Sequence, residues 1–363
     1  MKELNVRQIC FLFAAVLPVT RMLVYPATLA YAARNDLVLA ALASLAAEFL
    51  AVALILFAAS RSEKTLFELL SCRFGHVTAK LVYLLLSLFF LFSAFLPALE
   101  HRGFILQVFY ENVPSFLSFL PFFAVCTYAC TKGLRSIGRA ADLALPVFAV
   151  SFLILLPLAV PEADFSALLP LGSIGASGIF RGASLGLNWY CGGAYMLLFL
   201  GHFRYEKSAA KKIFIAYAVG AAAVLAFLTV FYAVFSDIAI LQQNALAHLS
   251  KYALSFTSLG RIDLLFVFAL TLVLLFALCI PLQLSTHCAA HALGCKPLYP
   301  ALAVNFLMLL FTVLFHPAYL EIQTLMTQKL WYVFAFFAVL LPVCTVLLTK
   351  KRHKKIRRPD HEK

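Results

Sequence analysis

Pro18-Val19-Thr20-Arg21, with Pro26 close behind, interrupts an apolar stretch that runs from Gln8 to Ala32. Asn188-Trp189-Tyr190-Cys191-Gly192-Gly193 interrupts a second stretch, from about Gly182 to His202, at the corresponding place in the other half of the chain. Proline removes a backbone donor, and irregular backbone survives in a membrane only where protein buries it or a cavity uses it. Matched broken segments of this kind point to a small-ligand site near the bilayer midplane.

The surrounding composition fits that setting. Of 363 residues, 64% are hydrophobic and 12% charged, with a mean hydropathy of +0.95. An ordinary soluble globule is excluded. A helix needs about 20 apolar residues to cross the hydrocarbon core, and Ile213–Ser236 has that length without a charge. Runs this long and continuous predict helices rather than barrel strands, hence an all-α integral membrane protein. Ten spans are expected, at about 8–32, 37–60, 79–99, 115–131, 140–160, 182–203, 213–236, 262–286, 298–316 and 330–349. They form one transmembrane domain over 1–349, with a basic tail over 350–363.

Placing both termini in the cytoplasm puts most of the 29 Lys and Arg residues on the inside, including Arg61, Lys64, Arg73, Lys132, Arg135, Lys207 and Lys211. The positive-inside rule selects that orientation. The net charge of +13 is mostly this orientation signal and gives no reason to invoke nucleic acid. The tail from Lys350 to Arg358 is a stop-transfer flank that could also touch anionic lipid headgroups. Ala30-Tyr31-Ala32 looks like a signal-peptide cleavage site, but the apolar stretch before it is too long and carries Arg21, so cleavage is not expected. The nine cysteines are scattered singly, which implies no disulfide framework.

His287, Cys288, His291 and Cys295 share one helical face, yet their spacing matches no standard zinc site, and polar packing at a helix end is the better reading. No nucleophile motif is recognisable, so neither an enzyme nor a cofactor is expected. Small residues such as Gly182 and Gly186 would let helices pack closely, whereas Gly192-Gly193 in mid-span suggests local unwinding. Arg21 admits two readings. It could hold a ligand carboxylate together with Thr20 and a free helix end, or it could snorkel outward or pair with Glu48 of the second span. Glu48 is the intramembrane charge most in need of a partner, because Glu100-His101-Arg102 is expected near the outer end of the third span, where solvent relieves the cost of burial. The candidate ligand site comprises Pro18, Val19, Thr20 and Arg21, Ser93, Asn188, Trp189, Tyr190 and Gly192, and Thr271. Phe92 and Trp189 would wall it, and freed carbonyls near Asn188 and Cys191 would accept from an amine.

Further landmarks lie along almost the whole chain: Gln8; Pro26 leading to Asn35-Asp36; Lys64-Thr65-Leu66 to Phe74-Gly75; Gly133 to Arg139; Leu168-Leu169-Pro170-Leu171; and Arg261-Ile262-Asp263. In order and spacing the sequence resembles the GerAB-like B-subunits of spore germinant receptors, within the amino acid, polyamine and organocation transporter superfamily. The resemblance implies a LeuT-type fold of two inverted five-helix repeats, about 8–160 and 182–349, with helices one and six broken around a central pocket. It also implies a germinant, an amino acid by preference, an A-subunit and a lipoprotein C-subunit as partners, and the spore inner membrane as location. A secondary transporter of amino acids or amines is the alternative. The chain departs from the family pattern in having no glycine at its first break, Gly260 in place of an acidic residue, and no Trp after Asp36.

Overall fold

The computed structural model describes residues 4–108, 114–203, 205–254 and 263–349. Lys2, Arg204, the Arg261-Ile262 landmark and the basic tail lie outside these residues. The described elements are helical: α1 (Val6–Thr20), α2 (Tyr25–Ala33), α3 (Leu37–Arg61), α4 (Leu66–Phe74), α5 (His76–Val108), α6 (Ser115–Lys132), α7 (Leu134–Ala159), α8 (Gly175–Gly186), α9 (Gly192–Phe199), α10 (Lys207–Phe235), α11 (Ala245–Leu254), α12 (Asp263–Leu293), α13 (Leu298–Phe315), α14 (Tyr319–Thr324) and α15 (Trp331–Leu348).

Among the described residues, seven helical stretches are long and apolar enough to cross a membrane. The expected first span consists of two pieces, α1 and α2, and the expected sixth of α8 and α9, whose 12 and 8 residues do not span alone. α12 is the most buried of the long helices, and its Pro281 sits inside the run. Being apolar all round, it suits the centre of the bundle, where it packs against α5. Reciprocal hydroxyl bonds join that pair: Ser285 Oγ donates to Ser87 O at 2.8 Å, and Ser87 Oγ donates to Ser285 O at 2.9 Å.

Both described chain ends lie at one end of the bundle. Leu4 N donates to His202 O, and Arg73 Nη1 donates to Leu347 O. α4 lies at the same end and starts with the capping box that Thr65-x-x-Glu68 encodes: Thr65 N donates to Glu68 Oε2, and Glu68 N to Thr65 Oγ1. At the opposite end, two landmarks meet. The Asp36 carboxylate accepts from Gly172 N and Ile174 N, and Asn35 Nδ2 donates to Pro170 O. The turn between α2 and α3 thereby clamps the approach to α8, which packs on both helices. A Cβ on Gly182 would come 2.9 Å from that of Ala40, so the close-packing reading of Gly182 has its reason.

Candidate functional site

α1 ends at Thr20, and Arg21–Val24 run without helix until α2 begins at Tyr25. Leu187–Trp189 form a single 3-10 turn, and α9 begins at Gly192. Pro18 and Pro26 flank the first break and deprive it of two amide donors. The two breaks face one another, because Arg21 Nε donates to Trp189 O at 3.1 Å and the guanidinium lies 4.0 Å from the centroid of the Tyr190 ring.

Arg21 and Glu48 settle one another. Arg21 Nη2 lies 2.7 Å from each Glu48 oxygen, and the side chains are 3% and 0% exposed. Glu48 also accepts from Gly192 N at 2.8 Å and from the Tyr217 hydroxyl at 2.9 Å. A carboxylate taken out of water is tolerable only with such compensation, and here a guanidinium, an amide and a phenol supply it from three separate segments. Arg21 thus takes the structural pairing that the sequence left open beside the carboxylate-binding role.

The glycines at the second break work differently from expectation. Gly192 and Gly193 are helical, inside the first turn of α9, and unwinding occupies Leu187–Cys191 instead. A Cβ on Gly192 would meet Glu48 Oε1 at 2.6 Å, and one on Gly193 would run into the Ala338 carbonyl. Their absent side chains let α9 approach α3 and α15.

The carbonyls at the breaks are also less free than the sequence suggests. Trp189 O takes Arg21, Asn188 O lies 3.4 Å from the Cys191 thiol, and Cys191 O accepts from Tyr195 N. In the first break, Leu23 O and Met22 O accept from Ala245 N and Leu246 N, the first amides of α11. These amides would have no partner within α11 itself.

Other candidates fall as follows. Pro18 and Val19 are buried, and Pro18 packs under Gly220 of α10. Thr20 Oγ1 is turned back to Leu17 O, and Ser93 Oγ to Phe90 O beside Tyr195. Thr271 is partly buried on α12. Trp189 is buried against Tyr25, whose hydroxyl accepts from Tyr190 at 3.1 Å. Phe92 is 53% exposed, so its ring faces outward from the bundle and does not wall the site. Asn188 is 5% exposed, and neither atom of its carboxamide has a hydrogen-bond partner.

Over residues 3–323 the sequence matches the family described as spore germination protein. The chain belongs to that family. Among curated proteins, none matches it. Membership and the long apolar helices together make this a multi-pass membrane protein of the permease type, tied to spore germination.

Three participants of the buried network escaped sequence reasoning. Tyr217 sits in the uncharged run Ile213–Ser236, where only a hydroxyl in mid-membrane hints at a bonded partner. Tyr25 directly follows the first break, and Glu100 was expected in solvent but is 2% exposed. His101, equally buried, turns to Phe122.

Proposed function

We propose that this chain is the ligand-sensing membrane subunit of a spore germinant receptor, binding a small germinant, an amino acid by preference, between its two broken segments. The observation that carries this reading is Asn188. A buried carboxamide with both atoms unpaired costs free energy on the order of 1–3 kcal/mol per group, and a bound ligand relieves it. The first break suits the carboxylate half of such a ligand, since Tyr25 and Ala27 in the first turn of α2 have amides without intrahelical acceptors.

On this reading the fold is the LeuT-type pair of inverted repeats, α1 to α7 and α8 to α15, both termini are cytoplasmic, and the membrane is the spore inner membrane. Occupancy shifts the population between conformers, and an A-subunit and a lipoprotein C-subunit respond to the shift. The Arg21–Glu48 pair suits such a role, because it couples the first break to α3 and α9 without occupying the ligand itself.

The test is uptake of pooled radiolabelled amino acids into proteoliposomes holding the chain alone, with equilibrium binding on the same preparation. Binding without accumulation is the expected result. Saturable accumulation would make the protein a secondary transporter, and loss of neither binding nor uptake in Asn188→Ala would remove the pocket from this place.

A further inference from the structure

Among the described residues three carboxylates are buried: Asp36 accepts from the amides of Gly172 and Ile174 and Glu48 is paired with Arg21, whereas no described residue gives Glu100 a counter-charge. Glu100 stands on α5 towards the end of the bundle opposite the termini, 2% exposed. Its Oε2 has one long hydrogen bond, from the Trp189 indole Nε1 at 3.5 Å, and its Oε1 has no partner. The hydroxyl of Tyr319, at the start of α14, lies within electrostatic reach of this carboxylate and is likewise buried without a partner. Beside the second break, then, an indole serves one oxygen of the Glu100 carboxylate while the other oxygen, and the nearby Tyr319 hydroxyl, stay unspent.

A buried carboxylate without a counter-ion is costly, and the protein's own buried guanidinium is committed to Glu48. Among the described residues nothing of comparable charge is offered to an anion here. We propose that Glu100, Trp189 and Tyr319 form the ammonium-binding half of the ligand site, so that the ligand carries a primary amine. This rests on the function proposed above and specifies its ligand class. The ammonium donates one hydrogen to Glu100 Oε1 and one to the Tyr319 hydroxyl, beside the indole N–H that already serves Glu100 Oε2. The backbone carbonyls expected to receive an amine are already bonded, whereas Glu100 Oε1 is not. A ligand with only a carboxylate would meet a like charge and be rejected.

The experiment is equilibrium binding of ethylammonium, L-alanine and propionate to the full chain in nanodiscs, for the parent and for Glu100→Gln. Ethylammonium and L-alanine bind the parent and propionate does not. Glu100→Gln weakens ethylammonium by about tenfold or more, the scale of losing a charge-assisted hydrogen bond. Propionate binding as tightly as ethylammonium, or an unchanged amine affinity in Glu100→Gln, overturns the assignment. Should that variant not fold, Tyr319→Phe must weaken ethylammonium severalfold, and an unchanged affinity there overturns it equally. L-alanine binding that survives Glu100→Gln but is lost in Asn188→Ala leaves the proposed function standing and removes only this inference. Absence of binding by every amine removes both.

Discussion

The buried Arg21–Glu48 pair can be dissected by a double-mutant cycle. Arg21→Met leaves the Glu48 carboxylate with only Gly192 N and the Tyr217 hydroxyl, in a site that is 0% exposed. Glu48→Gln leaves the guanidinium with Trp189 O and a neutral amide. Removing one member of a buried pair strands the other, at a cost of about 3–5 kcal/mol. The double variant strands no charge, and the carboxamide introduced at position 48 keeps an oxygen for Gly192 N and Tyr217. It therefore costs less than either single change, with a coupling energy of several kcal/mol on the same scale. Reversible unfolding in mixed micelles of increasing SDS fraction provides the measurement. Trp fluorescence is a fitting signal, because one of the two tryptophans, Trp189, accepts directly from Arg21 through its carbonyl. Single-variant costs below about 1 kcal/mol, or costs that simply add in the double variant, would refute the view that this pair is a compensated buried charge.

Arg21→Ala abolishes ligand binding by loosening the join between the breaks, whereas Arg34→Ala, on an exposed side chain, leaves it unchanged; equal effects in the binding assay would count against the join. Gly193→Ala forces α9 away from the Ala338 carbonyl and costs about 1–3 kcal/mol, read as a lower unfolding midpoint in the same micelles, and an unchanged midpoint would mean the contact yields easily. Phe92→Ala leaves ligand affinity intact while Trp189→Ala lowers it, because the first ring faces outward and the second is buried at the break; scintillation proximity binding separates the two, and a loss in Phe92→Ala would contradict the geometry.

The broad architecture was readable in the sequence because apolar run length is a strong signal in lipid, and because prolines and polar residues inside such runs have few explanations. The break around Arg21 falls where Pro18 and Pro26 place it. The second break was legible in position but not in cause. Gly192 and Gly193 signalled unwinding, yet they answer to Glu48 and Ala338, residues remote in sequence whose approach no local pattern reveals. Glu100 was misread for a related reason. A charge near a span's end is solvated unless another segment covers it, and the covering segments, Leu187–Trp189 and the start of α14, arrive from the second half of the chain. The partner of Glu48 was within reach as one of two readings, since Arg21 and Glu48 are long side chains of opposite sign in neighbouring spans. Helix α11 gave no apolar run long enough to distinguish it from a loop.

That helix has a consequence of its own. Its first two amides are bonded to Leu23 O and Met22 O, so main-chain hydrogen bonds fasten the segment between α10 and α12 to the first break. A fastening of this kind does not depend on which side chains occupy the four positions. On the function proposed above, side chains around the ligand can therefore be exchanged, and specificity can drift, while the clasp over the break stays the same.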